Sequence, residues 1–176
     1  MRVDLRHISD EPRHFDCTFQ PGWWEGMEGD DQVVMGLESP IIVWMSIRKE
    51  GTYFALDASL KGHIKVRCDR CLEPYTLAVD PHFRLILSLT PPQEGPYELA
   101  LGQEDLSMRF IEEPALNVDE MVREQIYLSL PMKCLCRKDC AGLCPVCGEN
   151  LNLSGCTCRR EIGHPAFSKL KDLKLK

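Results

Sequence analysis

The stretch that decides the fold of this chain is residues 53–68, which read YFALDASLKGHIKVRC. Apolar and polar side chains alternate along it, and the apolar set is Phe54, Leu56, Ala58, Leu60, Ile64, Val66 and Cys68. A period of two over such a length predicts a β-strand with one face in a core and the other in water. Gly62 interrupts the run, and we expect a β-bulge there.

The same alternation occurs on both sides of this stretch. Residues 33–37 and 41–48 are two candidate strands before it. Residues 75–89 repeat the pattern after it, with Pro81 marking an edge or a bend. The central stretch and residues 75–89 therefore predict a long antiparallel hairpin.

One helix is predicted after the sheet, over residues 118–129. Its apolar positions recur at i, i+3 and i+4, which is the spacing of a face that packs on a sheet. Asn117 and Glu120 stand in the positions of a capping box, and Pro131 ends the helix. We expect an α+β fold for residues 1–130, an antiparallel β-meander sheet or partly open barrel with one packed helix.

A cysteine-rich tail follows, over residues 131–176. Seven of the ten cysteines lie in residues 134–158. The centre of this segment, Cys144-Pro-Val-Cys147-Gly148, has the spacing of a zinc knuckle, because two intervening residues let both thiolates face one ion. The following glycine permits the sharp turn that the knuckle requires. From Pro165 onward the chain predicts a short basic helix.

The cysteine spacing favours two structural zinc sites with thiolate ligands only. The first set is Cys144, Cys147, Cys156 and Cys158. The second set is Cys68, Cys71, Cys136 and Cys140, which would join the hairpin tip to the tail. A single site, with Cys140 replacing Cys156 or Cys158, also satisfies the spacing. Cys17 and Cys134 are expected to be bystanders, and ligation by cysteine alone favours a structural role over a catalytic one.

The sequence also bears on location and chemistry. The first residues have no apolar run or cleavage site, and no stretch approaches the length of a membrane span. We therefore expect a cytoplasmic protein without a membrane partner, in which reduced cysteines favour metal over disulfides. No catalytic Ser-His-Asp pattern, Gly-rich phosphate loop or close histidine pair is present. We expect neither an enzyme nor a small-molecule substrate.

Charge is unevenly distributed along the chain, whose formal net charge is -6. Residues 131–176 hold nine Lys and Arg against four Asp and Glu, while residues 1–130 hold twelve against twenty-three. A basic tail beside a zinc site suits a phosphate backbone. The candidate RNA-binding residues are Lys61, Lys65, Arg67, Arg70, Arg159, Arg160, Lys169, Lys171 and Lys174. Trp23 or Trp24 is a candidate for base stacking, and the alternative is that both pack under a loop.

Four stretches carry a resemblance to a known family. They are Cys68-Asp-Arg-Cys71-Leu-Glu-Pro74, residues 118–133, residues 139–152 together with Cys156-x-Cys158, and His164-Pro165. On these residues the chain resembles the YceD family of bacterial and plastid large-subunit ribosomal RNA accumulation proteins. Its departures are the histidine at 164, where the family typically has Asp, and the extra cysteines at 17 and 134.

The resemblance implies a non-enzymatic role in the accumulation or processing of large ribosomal RNA during ribosome assembly. The implied partner is that RNA or its precursor, bound directly. The acidic body leaves a second hypothesis open, in which residues 94–105 belong to an acidic loop that serves as a chaperone for a basic ribosomal protein. A third hypothesis is a redox or metal-sensing protein in which Cys68 and Cys71 cycle.

Overall fold

The computed structural model describes residues 1–25, 33–90 and 108–158. Within these ranges it has nine strands, two α-helices and one 3-10 turn at Leu5–His7. The strands are β1 (Arg2–Asp4), β2 (Arg13–Phe19), β3 (Val34–Leu37), β4 (Ile41–Glu50), β5 (Tyr53–Arg67), β6 (Pro74–Val79), β7 (His82–Ser88), β8 (Met108–Phe110) and β9 (Ala115–Asn117). The helices are α1 (Gly22–Glu25) and α2 (Val118–Leu128).

Strand β5 is the centre of the main sheet, because it pairs along both edges over most of its length. Its first half lies between β4 and β7, and its second half lies between β3 and β6. The sheet continues outward through β2 beside β4 and β8 beside β7. All of these pairings are antiparallel except β7 with β8.

The described strands form an open sheet. The strand order β2-β4-β5-β7-β8 has two ends, and no described strand pairs β2 with β8. A separate two-stranded ribbon of β1 and β9 leads into α2. This arrangement confirms the mostly antiparallel α+β class with one main helix. The short basic helix predicted from Pro165 lies outside the described residues.

The hydrophobic core lies between the inner face of the sheet and α2. Alternate residues of β4 and β5 point into it, and Ile41, Val43, Ile47, Leu56, Leu60, Ile64 and Val66 are fully buried. Helix α2 contributes Val118, Met121, Val122, Gln125 and Ile126 from its inner face. The period-two and i, i+3, i+4 patterns therefore identified the two surfaces that meet.

The bulge expected at Gly62 is wrong. Strand β5 runs through Gly62 without a register shift, and the irregularity lies between Val34 and Gly36 of β3. Gly62 is required for another reason, since a Cβ there would lie 2.5 Å from Ile41 Cδ1 and 2.8 Å from the Pro40 carbonyl oxygen. The link from β3 to β4 crosses so close to β5 that no side chain fits.

Both adjacent tryptophans pack against the body, as in the alternative to base stacking that the sequence left open. Trp24 is 6% exposed, and its ring centroid lies 5.9 Å from that of Tyr127 on α2. Trp23 is half-buried and donates from Nε1 to Asp119 Oδ1 at 2.7 Å. The two tryptophans therefore attach the segment after β2 to both ends of α2, Trp23 at the first turn and Trp24 at the last.

The capping box predicted for α2 is also wrong in its key residue. The Asn117 side chain makes no capping hydrogen bond. The Val118 N–H donates instead to the Met1 carbonyl oxygen at 3.0 Å, because the β1–β9 pairing brings that carbonyl to the helix start. In the described ranges, no helix is long and apolar enough to cross a membrane.

The close contact at Gly62 leads to a stability prediction. Replacing Gly62 with Ala should lower the free energy of unfolding by about 1–3 kcal/mol, since the Pro40 backbone must move to admit the methyl group. Denaturant unfolding of the metal-loaded protein measures this change. Gly22→Ala is the matched control, because a Cβ there meets nothing within 4 Å. Equal stability of the two variants would contradict the close approach.

Candidate metal centres

Two groups of four cysteines have all their Sγ atoms within 4.8 Å of one another. The clasp cluster consists of Cys68, Cys71, Cys136 and Cys140. The tail cluster consists of Cys144, Cys147, Cys156 and Cys158. These are the two sets expected from the cysteine spacing. Cys140 lies in the clasp cluster and not with the tail set, so the single-site alternative is not what the structure assembles.

The sulfur spacing fits a tetrahedral metal ion. Cys68 Sγ lies 3.8 Å from Cys140 Sγ, and Cys71 Sγ lies 3.7 Å from Cys136 Sγ. Four sulfurs each about 2.3 Å from a zinc ion would be about 3.8 Å apart. A disulfide would need about 2.05 Å, and all ten cysteines are free. The donor set and its spacing therefore fit a soft divalent ion in each cluster.

The knuckle at Cys144 forms the turn that its sequence predicts. The Cys144 N–H donates to the Glu149 carbonyl at 2.8 Å, and the Gly148 N–H donates to the Cys144 carbonyl at 2.9 Å. The Val146 N–H points at Cys144 Sγ from 3.4 Å. Gly148 has φ +76, which confirms the need for glycine after the second cysteine.

The hairpin tip between β5 and β6 repeats this turn. The Cys68 N–H donates to the Glu73 carbonyl at 3.0 Å, and the Leu72 N–H donates to the Cys68 carbonyl at 2.9 Å. Leu72 occupies the position of the knuckle glycine and has φ +62, although its side chain is 54% exposed. A left-handed conformation costs a residue with a side chain about 1–2 kcal/mol.

Hydrogen bonds fasten the tail to the hairpin tip around the clasp cluster. Asp69 and Cys134 exchange two of them, from the Asp69 N–H to the Cys134 carbonyl at 2.8 Å and from the Cys134 N–H to Asp69 Oδ2 at 2.7 Å. The Arg70 guanidinium donates to the Cys140 carbonyl at 2.9 Å, and the Leu143 N–H donates to the Arg70 carbonyl at 3.1 Å. Cys134 is thus a structural neighbour of the cluster and not a ligand.

Asn152 supports the clasp cluster from the tail, and the sequence analysis did not single it out. Its Oδ1 accepts from the Ala141 N–H at 2.8 Å and from the Arg137 guanidinium at 2.6 Å. Its Nδ2 lies 3.4 Å from Cys140 Sγ and donates to Asn150 Oδ1 at 2.8 Å. Its position between the pairs Cys144/Cys147 and Cys156/Cys158 could have indicated a supporting role, because hydrogen bonds from nearby polar residues commonly orient metal-binding sulfurs.

Electrostatics favour thiolates at two cysteines of the clasp cluster and at one of the tail cluster. Burial opposes ionisation of Cys68, but backbone N–H groups and a Cys71 hydrogen bond lower the pKa of Cys68 to about 6. Burial also opposes ionisation of Cys140, but hydrogen bonds from Asn152 and the Gly142 N–H lower its pKa. Backbone N–H groups of Cys147 and Val146 lower the pKa of Cys144 to about 6. Burial and hydrogen bonds with neighbouring sulfurs raise the pKa of Cys136 to about 12. Full ionisation therefore needs a cation to offset the charge repulsion among the sulfurs.

The two clusters differ in exposure. In the clasp cluster, Cys68, Cys71 and Cys140 are buried, and Cys136 is half-buried. In the tail cluster only Cys144 is buried, and Cys147 is exposed. A chelator or oxidant therefore reaches the tail cluster first.

The basic residues proposed for RNA contact lie in different places. Lys61 and Lys65 are exposed on the outer face of β5, and Arg67 continues their line half-buried. Arg70 turns toward the clasp cluster, where it donates to the Cys140 carbonyl. The predicted contacts Arg159, Arg160, Lys169, Lys171 and Lys174 lie outside the described residues.

A comparison with protein families connects this geometry to known chains. The family model described as "Large ribosomal RNA subunit accumulation protein YceD" matches residues 56–174, which is more than half of the chain. This chain belongs to the YceD family. The matched region contains the central strand, α2 and the ligands of both clusters, as the resemblance of the four sequence stretches indicated.

Two curated relatives of this YceD-family chain come from plants. It is 27% identical over 144 residues to the "Large ribosomal RNA subunit accumulation protein YCED homolog 1, chloroplastic" of Zea mays, covering 69% of this chain and 49% of the relative. It is 23% identical over 158 residues to the Arabidopsis thaliana protein of the same name, covering 77% of this chain and 49% of the relative. The chain therefore spans about half the length of these relatives. No solved structure matches it.

The cluster geometry predicts two metal ions per chain. Native mass spectrometry of the wild-type protein should show two bound zinc ions, because each cluster offers four thiolates. Cys147→Ser should leave one ion and retain the β-sheet signal in circular dichroism. Cys134→Ser is the matched control and should keep both, since Cys134 is buried beside the clasp cluster without belonging to it. Loss of an ion from Cys134→Ser would overturn this ligand assignment.

The equivalent turns at Leu72 and Gly148 predict opposite changes in stability when glycine is introduced at one and removed from the other. Leu72→Gly should raise the free energy of unfolding of the metal-loaded protein by roughly 1 kcal/mol, because it removes the cost of a left-handed leucine. Gly148→Ala should lower it by a similar amount. Denaturant unfolding at saturating metal measures both. A destabilised Leu72→Gly variant would show that the leucine side chain contributes more than its backbone costs.

Proposed function

We propose that this chain supports the accumulation of large-subunit ribosomal RNA by binding that RNA or its precursor, without catalysing a reaction. Membership of the YceD family carries the ribosome-related part of the proposal, and the names of both plant relatives point the same way. RNA binding is the finer part, and it is supported by exposed cations on the outer face of β5. Phosphate groups are the natural partners of such a surface.

The metal ions in this proposal are zinc with a structural role. Ligation by four cysteines leaves no open position for a substrate, whereas a catalytic zinc site keeps one. The ion neutralises the thiolates and links chain segments that are distant in sequence. In the clasp cluster, Cys71 and Cys136 are 65 positions apart. The role of the metal is then to hold the tail against the hairpin tip.

The other two hypotheses receive less support. The acidic residues 94–105 proposed to meet a basic ribosomal protein lie outside the described residues. Redox cycling of Cys68 and Cys71 would require access to both sulfurs, yet both are buried against the tail. Both plant relatives are named as chloroplastic. A cytoplasmic location for this chain remains our prediction.

The salt dependence of RNA binding tests the proposal. Lys61→Gln and Lys65→Gln should each weaken binding to a single-stranded ribosomal RNA fragment, because each removes one phosphate contact. Each should also reduce the slope of log affinity against log salt by about 0.7. Fluorescence anisotropy across a salt series measures both quantities on the zinc-loaded protein.

The control for this series is Lys49→Gln. Lys49 is exposed at the end of β4, in line with the buried side chains of that strand and away from its outer face. The control should retain the wild-type affinity and slope. If the wild-type protein binds no ribosomal RNA fragment at low salt, the RNA-binding proposal fails.

A further inference from the structure

The outer face of the sheet carries side chains that the core does not use. Pairing registers place Asp16, Trp44, Ser59 and His82 in one row across β2, β4, β5 and β7. The neighbouring rows are His14, Ser46, Asp57 and Arg84 on one side, and Thr18, Ile42 and Lys61 on the other. Directly paired residues share a face, so these side chains form one continuous surface.

Trp44 is the exposed tryptophan of this chain. The three tryptophans are Trp23, Trp24 and Trp44, and only Trp44 points away from the core. It is 44% exposed although β4 is an interior strand with partners on both edges. Ile42, the next outward residue of β4, is 40% exposed. Trp44 and Ile42 are therefore neighbouring apolar side chains on the exposed face, and contiguous exposed apolar surface is a mark of a binding site.

Trp44 and His82 flank a depression on this face, which we call the slot. They lie two strands apart, about 10 Å between backbones, with the small side chain of Ser59 between them. The structure has a shallow depression of about 510 Å³ here, lined by Trp44, Asp57, Ala58, Ser59, His82, Phe83 and Arg84. An open depression flanked by an aromatic ring and an imidazole can accept a nucleobase, because every base has a face that stacks.

The polar groups at the slot suit the edge of a base. Ser59 and Asp57 both line the slot, Ser59 in the row of Trp44 and His82 and Asp57 in the next row. Carboxylates accept hydrogen bonds from the amino groups of bases. Arg84 Nε lies 3.9 Å from Asp57 Oδ1, so this carboxylate is partly neutralised. Asp16, on the β2 side of Trp44, is a second acceptor of the same kind.

Cations continue from the slot along β5. Lys61, His63 and Lys65 follow Ser59 on the same face, and all three are exposed. Their spacing of two residues puts them about 7 Å apart along the strand. A chain of phosphates leaving the slot would meet the ammonium groups of Lys61 and Lys65, with the His63 ring between them. This arrangement, an aromatic platform beside a cationic track, is that of proteins that bind single strands.

We propose that the outer face of the sheet binds single-stranded RNA, with one base stacked between Trp44 and His82 and the following phosphates along Lys61, His63 and Lys65. The proposal rests on the RNA-binding function proposed above and assigns its site. A duplex is excluded from the slot, because its bases are stacked and paired inside the helix.

The test measures binding of a short fluorescein-labelled oligoadenylate to the zinc-loaded chain at low salt. Trp44→Ala should weaken binding by about 10-fold, the loss expected for one stacked base. Trp44→Phe should retain most of the affinity, because a smaller ring still stacks. His82→Ala should weaken binding as well. RNA should also quench tryptophan fluorescence of the wild type but not of Trp44→Ala, in which the remaining tryptophans lie within the body.

Leu128→Ala is the matched control, since Leu128 is also an exposed apolar residue, 69% exposed, at the end of α2. It should bind like the wild type, and zinc content and thermal unfolding should match in all variants. If the wild type binds but Trp44→Ala binds equally well, this site is wrong and the proposed function stands. Equal affinity for a duplex of the same length would also overturn the site. If the wild type binds no RNA, both proposals fail.

Discussion

The clasp cluster is the contact on which the arrangement of the C-terminal region depends. Its two ligand pairs come from chain segments that no described strand pairing connects, the hairpin tip at Cys68 and Cys71 and the tail at Cys136 and Cys140. The hydrogen bonds of Asp69, Arg70 and Cys134 surround the four sulfurs and are satisfied only when the tail is seated. Asn152 of the tail also contacts this cluster, with its Nδ2 3.4 Å from Cys140 Sγ. If the four cysteines did not come together, the hydrogen bonds between the hairpin tip and the tail would not form.

Local patterns predicted the main strands, the helix and the cysteine pairs, because each is encoded within a short stretch. The period-two run of residues 53–68 became β5. Spacing favoured the two cysteine sets that the structure assembles but also allowed a single site, since the clasp cluster joins distant segments. Errors occurred where a residue's role depends on a distant segment. Gly62 faces the Pro40 carbonyl. The Asn117 side chain does not cap α2, because the first N–H of the helix donates to the Met1 carbonyl instead. Neither neighbour can be found from the residues adjacent in sequence.

The tryptophans also show that a role which depends on distant segments cannot be predicted from local sequence. Base stacking was proposed for Trp23 or Trp24, because two adjacent side chains of a regular strand cannot both face one core. The structure places both residues in a short helix, where this restriction does not apply. No binding role was predicted for Trp44, because the alternating pattern of β4 indicates only which of its residues are buried. Its position became informative only when the register set Ser59 and His82 beside it. A binding surface on a sheet is assembled across strands, so its residues are scattered in the sequence.

The two clusters differ in the length of the loop that connects their ligands. The tail cluster draws its four ligands from residues 144–158, so a short loop suffices and an otherwise unfolded tail can capture an ion. The clasp cluster joins Cys71 to a sulfur 65 positions away, and closing a longer loop costs more chain entropy unless the intervening structure has already formed. Metal capture at the clasp would therefore be coupled to completion of the sheet and α2. An ion bound at that site would report that the whole body has folded, whereas an ion at the tail site would report only local order.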